Sequence, residues 1–164
     1  MNSPVPSARP EGLSAPERQG SAGHNHPMSV SVQVVYEGAL RCSVTHGPSG
    51  QVTVTDAPED NGGRGAAISP TDMVAAAYGS CVLTIIGLAA RRESLDVTGT
   101  RITVVKEMTA QPARRIASLK ANLAFPSRSS LTQAEKAKLL AAAKACPVRQ
   151  SLHPDVEVSL EVTE

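Results

Sequence analysis

Between Met73 and Ala90 the chain carries no charged side chain, a run of about 18 residues that only a buried helix or a membrane span can accommodate. The run has a helical start. Ser69 can serve as N-cap, Pro70 suits the first helical position, and Asp72 stands where a capping box wants a carboxylate. Apolar side chains fill one stripe, Val74, Ala77, Tyr78, Cys81, Ile85 and Leu88, and also the opposite one, Ala75, Val82, Ile86 and Ala89. A helix that is apolar all round is predicted to be buried on every side, and Arg91, Arg92 and Glu93 bring it back to water. Gly79, Ser80, Thr84 and Gly87 make the run only weakly hydrophobic for a bilayer, and no second span accompanies it. These small residues suit close packing against another helix instead. Cys81 puts a thiol at the centre of the run.

The remaining composition limits what surrounds this helix. A chain of 164 residues suits one domain, yet Tyr36, Tyr78 and Phe125 are its whole aromatic set. The core must come from Val, Ile, Leu and Ala, and a partner subunit is expected to complete it. The net charge of +1 gives no electrostatic ground for binding nucleic acid. No apolar signal segment precedes the domain, and three cysteines are no disulfide scaffold, so the expected location is cytoplasmic, where disulfides are transient. Residues 1–27 are rich in Pro, Ser, Gly and Ala and are predicted to be a disordered tail, including His24 and His26. Residues 28–164 form the folded part.

Along that part, residues 29–36 alternate polar and apolar as a strand with one wet face, and Glu37-Gly38 turns it. Strands follow at 40–46 and 51–56, divided by Gly47-Pro48-Ser49-Gly50. The Gly62-Gly63-Arg64-Gly65 cluster is a connection; it lacks the spacing of a phosphate-binding loop. Beyond the central helix, residues 100–106 and 116–126 read as extended. Thr132 to Glu135 opens a second helix that runs to Cys146 and stops at Pro147, and 156–162 form a last strand. The order βββ-α-ββ-α-β without strict strand-helix alternation points to an α+β fold.

A buried cysteine is first of all a small hydrophobe. Two features set Cys81 and Cys146 apart. Cys146 precedes Pro147 at a helix end, where its sulfur can be reached, and Arg41 is a cation in a strand able to pack against the central helix. A nearby positive charge favours the thiolate, whereas a helix C-terminus carries negative partial charge and does nothing for Cys146. Cys81 is therefore the better attacker and Cys146 the better second thiol. Cys42 reads as a strand residue and His46 and His153 as turn residues. A zinc site drawn from Cys42, His46, Cys81, Cys146 and His153 has no close-paired ligand spacing. Arg114, Arg115 and Lys120 form either a wet charged face or a surface for an acidic reductase.

The motifs Ser69-Pro70-Thr71-Asp72-Met73, Ala75 to Cys81, Pro112 to Ile116, Ala145 to Val148 and Ser151 to Pro154 resemble those of the OsmC/Ohr family of thiol peroxidases. The resemblance spans residues 28–164. It implies an intertwined homodimer whose two long central helices pack between curved antiparallel sheets, and reduction of organic hydroperoxides, alkyl or lipid, by a cysteine pair. Carried over, Cys81 is peroxidatic, Cys146 is resolving, and Arg41 activates the thiolate. Met73, Leu83 and Ile85, with Tyr78 one turn before Cys81, are expected to line an apolar substrate pocket. The family glutamate that orients the arginine belongs just after the helix-opening proline, where this chain has Thr71; Asp72, one residue on, points about 100° away. No metal or organic cofactor is implied. An external dithiol, a lipoylated or thioredoxin-like protein, is the implied reductant. The competing expectation is a non-catalytic binding protein for an apolar small molecule, its thiols merely buried.

Overall fold

The computed structural model describes residues 29–127 and 129–163; the predicted tail lies outside them. Strands β1 (Val32–Gly38), β2 (Arg41–His46) and β3 (Val52–Asp56) form an antiparallel meander. A loop with a short 3-10 turn, Glu59–Asn61, leads into helix α1 (Pro70–Arg92). Strands β4 (Arg101–Thr109) and β5 (Arg115–Ala124), helices α2 (Gln133–Ala143) and α3 (Pro147–Ser151), and strand β6 (Glu157–Val162) complete the order. The α+β class and the element order agree with expectation. Three details differ. The second sheet is mixed, because β6 joins β5 in parallel, which requires the crossover through α2 and α3. The helix expected to reach Cys146 ends at Ala143, and a separate turn of helix, α3, follows Pro147. Third, α1 is not covered all round within the protomer.

Local chemistry explains α1. Ser69 accepts from the Asp72 N–H at 3.1 Å, and the Asp72 carboxylate accepts from the Ser69 N–H at 3.3 Å, closing the predicted capping box. One face, Ala75, Tyr78, Gly79, Val82, Ile86 and Ala90, is buried against the second sheet. Opposite it lie Leu119, Ala121 and Leu123 of β5 and Leu139 and Ala143 of α2. Each large aliphatic side chain buried here contributes about 1.5–3 kcal/mol, far more than any propensity difference along the helix. Gly79 sets the spacing. A Cβ at that position would lie 3.1 Å from Val104 Cγ2 and 3.3 Å from Ile102 Cγ2, so the missing side chain is what lets α1 lie close on β4. The other face, Ala76, Ala77, Ser80, Thr84 and Leu88, is exposed. The first sheet likewise carries exposed Val32, Val34, Val35, Tyr36 and Val52 on its two faces.

Candidate functional site

Cys81 sits midway along α1 at the edge between its buried and exposed faces and is half-buried, whereas Cys146 is fully buried. Packing of α3 on α1 brings the two thiols together. Burial pushes the Cys146 thiol up, and the Cys81 thiol beside it pushes in the same direction. The backbone N–H groups of Val148 and Arg149 oppose that rise. Their direction corrects the sequence reading: Cys146 is not in the last turn of a long helix, facing carbonyls, but is the N-cap residue of α3. The chain reaches that position through tightened turns at the end of α2, with Lys144, Ala145 and Cys146 each donating to the carbonyl three residues back. Both thiols are free.

The remaining expected residues are distributed unevenly. Tyr78 belongs to the core, 1 % exposed, with its hydroxyl donating to the Ser159 carbonyl at 3.3 Å. Burial pushes the pKa of its hydroxyl up, disfavouring ionisation, and the charge of Arg149 works against that rise. Ile85 follows Cys81 by one turn on the same side of α1, while Leu83, two positions on and so about 200° around the helix, faces elsewhere and packs on the core. Met73 is half-buried near the helix start. Among the described residues no hydrogen bond or ion pair joins Arg41 to Cys81. Arg41 stands at the start of β2 with Nε 3.7 Å from Glu37 Oε2, both side chains well exposed. Cys42 is likewise on the first sheet, opposite Thr55. His46 pairs with Ser49 at 2.6 Å and His153 accepts from the Asp155 N–H at 3.2 Å, both in turns. The cations thought able to attract a reductase each have an acidic neighbour: Arg114 meets Asp60, Arg115 meets Asp155 and Lys120 meets Glu107.

A residue the sequence reading passed over occupies the family glutamate's surroundings. Lys106 Nζ donates to Thr71 Oγ1 at 2.7 Å and lies 2.6 Å from Asp72 Oδ1. That ammonium holds the Asp72 carboxyl below its usual value, helped by the Ser69 hydroxyl at 2.6 Å. The signal was available in the parity of β4: Ile102, Val104, Lys106 and Met108 share its inward face, so a lysine there needs a partner. The same lysine lies at the edge of a cavity of about 430 Å³ between α1 and β4, lined mainly by Ala75, Ala76, Gly79, Ile102 and Val104. None of the expected pocket residues lines it.

The OsmC-like protein family matches residues 62–161. Among solved structures, a candidate osmotic stress induced and detoxification response protein of Psychrobacter arcticus 273-4 is similar at 36 % identity, over 85 % of this chain and 100 % of its own, with a TM-score of 0.77. An organic hydroperoxide resistance protein OsmC of Legionella pneumophila matches at 20 % identity, 85 % and 100 % coverage and a TM-score of 0.69. The organic hydroperoxide resistance protein OhrB of Bacillus subtilis matches at 16 %, 83 % and 98 %, with 0.62. No curated protein matches the chain. The two lower identities speak for the fold alone; the first, together with a family match over more than half the sequence, identifies the chain as a member of the OsmC-like protein family.

Proposed function

We propose that this protein is a thiol-dependent peroxidase that reduces organic hydroperoxides in the cytoplasm. The observation that carries the reading is the meeting of Cys81, half-buried and reachable, with Cys146, buried and with its thiol pushed up by burial and by the Cys81 thiol beside it. The Cys81 thiolate attacks the terminal oxygen of the hydroperoxide; the O–O bond breaks, the alcohol leaves with a proton, and Cys81 becomes a sulfenic acid. The Cys146 thiol condenses with it, releasing water and forming a disulfide, and an external dithiol, lipoylated or thioredoxin-like, restores both thiols by exchange. The order of roles follows from access: the half-buried Cys81 can meet a hydroperoxide first, and the buried Cys146 closes the bridge once a sulfenic acid stands next to it.

The active unit in this reading is a homodimer. A three-stranded sheet that leaves Val32, Val34 and Tyr36 54 %, 58 % and 64 % exposed has no core of its own, and the exposed side of α1 is a row of small residues suited to a second helix. In this reading, covering both with a second copy brings Arg41 to the Cys81 of the other protomer. Turnover of cumene hydroperoxide with dihydrolipoamide or thioredoxin tests the proposal. Wild type should consume peroxide, Cys81→Ser should not, and Cys146→Ser should complete one turnover and stall as a dimedone-reactive sulfenic acid. Full turnover by Cys81→Ser would refute it. The cavity beside Lys106 favours a second reading, binding of an apolar ligand with a polar end; inert thiols in the same assay would select it.

A further inference from the structure

An activating arginine needs a carboxylate to aim it, and the residue after the helix-opening proline, Thr71, is engaged by Lys106. A different carboxylate stands across the sheet. In the β2–β3 ladder Arg41 is paired with Asp56. The adjacent bond, from the Ala57 N–H to the Leu40 carbonyl at 3.1 Å, makes Leu40 and Ala57 the hydrogen-bonded pair, so Arg41 and Asp56 form the non-hydrogen-bonded one. In such pairs the Cα atoms are about 4.5 Å apart and the side chains leave from the same face. Consistent with this, the Asp56 N–H turns away from β2 and donates to the Ile68 carbonyl at 3.2 Å.

Asp56 is 2 % exposed. Its Oδ2 accepts from the Ala66 N–H at 3.1 Å, but Oδ1 is buried with no hydrogen-bond partner among the described residues. A buried carboxylate oxygen in that condition is the exception in folded proteins and calls for a donor. Arg41 has donors to give: its contact with Glu37, at 3.7 Å and in solvent, is too long for a direct hydrogen bond and leaves the rest of the guanidinium fork uncommitted. We propose that Asp56 is the positioning residue for Arg41, its free oxygen receiving one edge of the guanidinium so that the other edge is directed at the peroxidatic thiolate. This rests on the peroxidase reading. Exchange from Glu37 to Asp56 involves only side-chain torsions, because both carboxylates already flank Arg41.

The test uses the pH profile of iodoacetamide alkylation in a Cys42→Ser/Cys146→Ser background, where Cys81 is the sole thiol and no turnover is needed. Arg41→Met and Asp56→Asn should each move the midpoint upward and slow the reaction at neutral pH roughly tenfold, the change for one pKa unit. The double variant should go no further than either single one, Asp56→Glu should restore part of the rate, and Glu37→Gln should leave the wild-type profile. Asparagine retains an acceptor for the Ala66 N–H, so a purely structural role of Asp56 would leave the midpoint in place. A wild-type profile for Asp56→Asn beside a shifted Arg41→Met overturns this inference and spares the peroxidase reading. If Asp56→Asn does not fold, Glu37→Gln decides: a profile like that of Arg41→Met would name Glu37 instead and overturn the inference. No effect of Arg41→Met overturns the role of Arg41 itself.

Discussion

Replacing Gly79 by alanine tests how the central helix is seated. In an open helix position the change stabilises by about 0.8–1 kcal/mol, because alanine has less backbone freedom to lose. Here the new methyl would lie 3.1 Å from Val104 Cγ2 and 3.3 Å from Ile102 Cγ2. Both neighbours are β-branched and stiff at χ1, so neither can swing aside, and α1 and β4 must separate by a few tenths of an ångström. Overpacking of this kind costs about 1–3 kcal/mol, which outweighs the propensity gain and leaves a net loss of about 1 kcal/mol. Gly87 lies on the same helix, and a methyl added there would meet nothing within 4 Å, so Gly87→Ala in the protomer keeps the propensity gain alone. Urea unfolding followed by circular dichroism at fixed protein concentration reads both as shifts in midpoint at constant slope. A Gly79→Ala protein more stable than wild type would refute the close-seating argument.

Three further outcomes follow from the structure. In the proposed homodimer, co-expressed Cys81→Ser chains, inactive alone, and Arg41→Met chains, slowed roughly tenfold alone, should regain about a quarter of wild-type peroxidase activity, since roughly half the dimers are mixed and each mixed dimer would hold one complete site; no recovery would place Arg41 in the same protomer as its thiol. Asp72→Asn should destabilise at pH 7, and the gap should close as pH falls: the folded-state carboxyl lies below its ordinary 3.8, so its stabilisation is present above that value and is lost as pH falls through the folded value. A gap unchanged at pH 3, measured by thermal unfolding, would contradict the Lys106 and Ser69 contacts. Ser69→Ala should cost about 1 kcal/mol by loss of the N-cap, seen in the same unfolding experiment, and a neutral effect would count against the capping box.

Much of the fold was legible because local chemistry and tertiary packing agree. Ser69, Pro70 and Asp72 announce α1, Thr132 and Glu135 announce α2, and alternation marks β1, β4 and β6. The parallel pairing of β6 was not legible, since alternation fixes which side chains face inward but carries no direction. The end of α2 was hidden in an alanine-rich run with no stop signal before Pro147, and with it went the placement of Cys146 at the start of α3 rather than the end of α2. Asp56 reads locally as a polar residue ending a strand; its burial arises from the loop that folds back to offer the Ala66 N–H. The exposed side of α1 was not legible because uniform hydrophobicity says that a surface is covered, not that its own chain covers it.

The proposed chemistry depends on Cys81 and Cys146 acting as a pair, and thiol counting with disulfide mapping tests that directly. After one equivalent of cumene hydroperoxide per chain, free thiols should fall from three to one, Cys42 should remain reactive, and digestion should yield a single linked peptide joining Cys81 to Cys146. Retention of all three thiols, or a bridge that leaves out Cys81, would contradict the account.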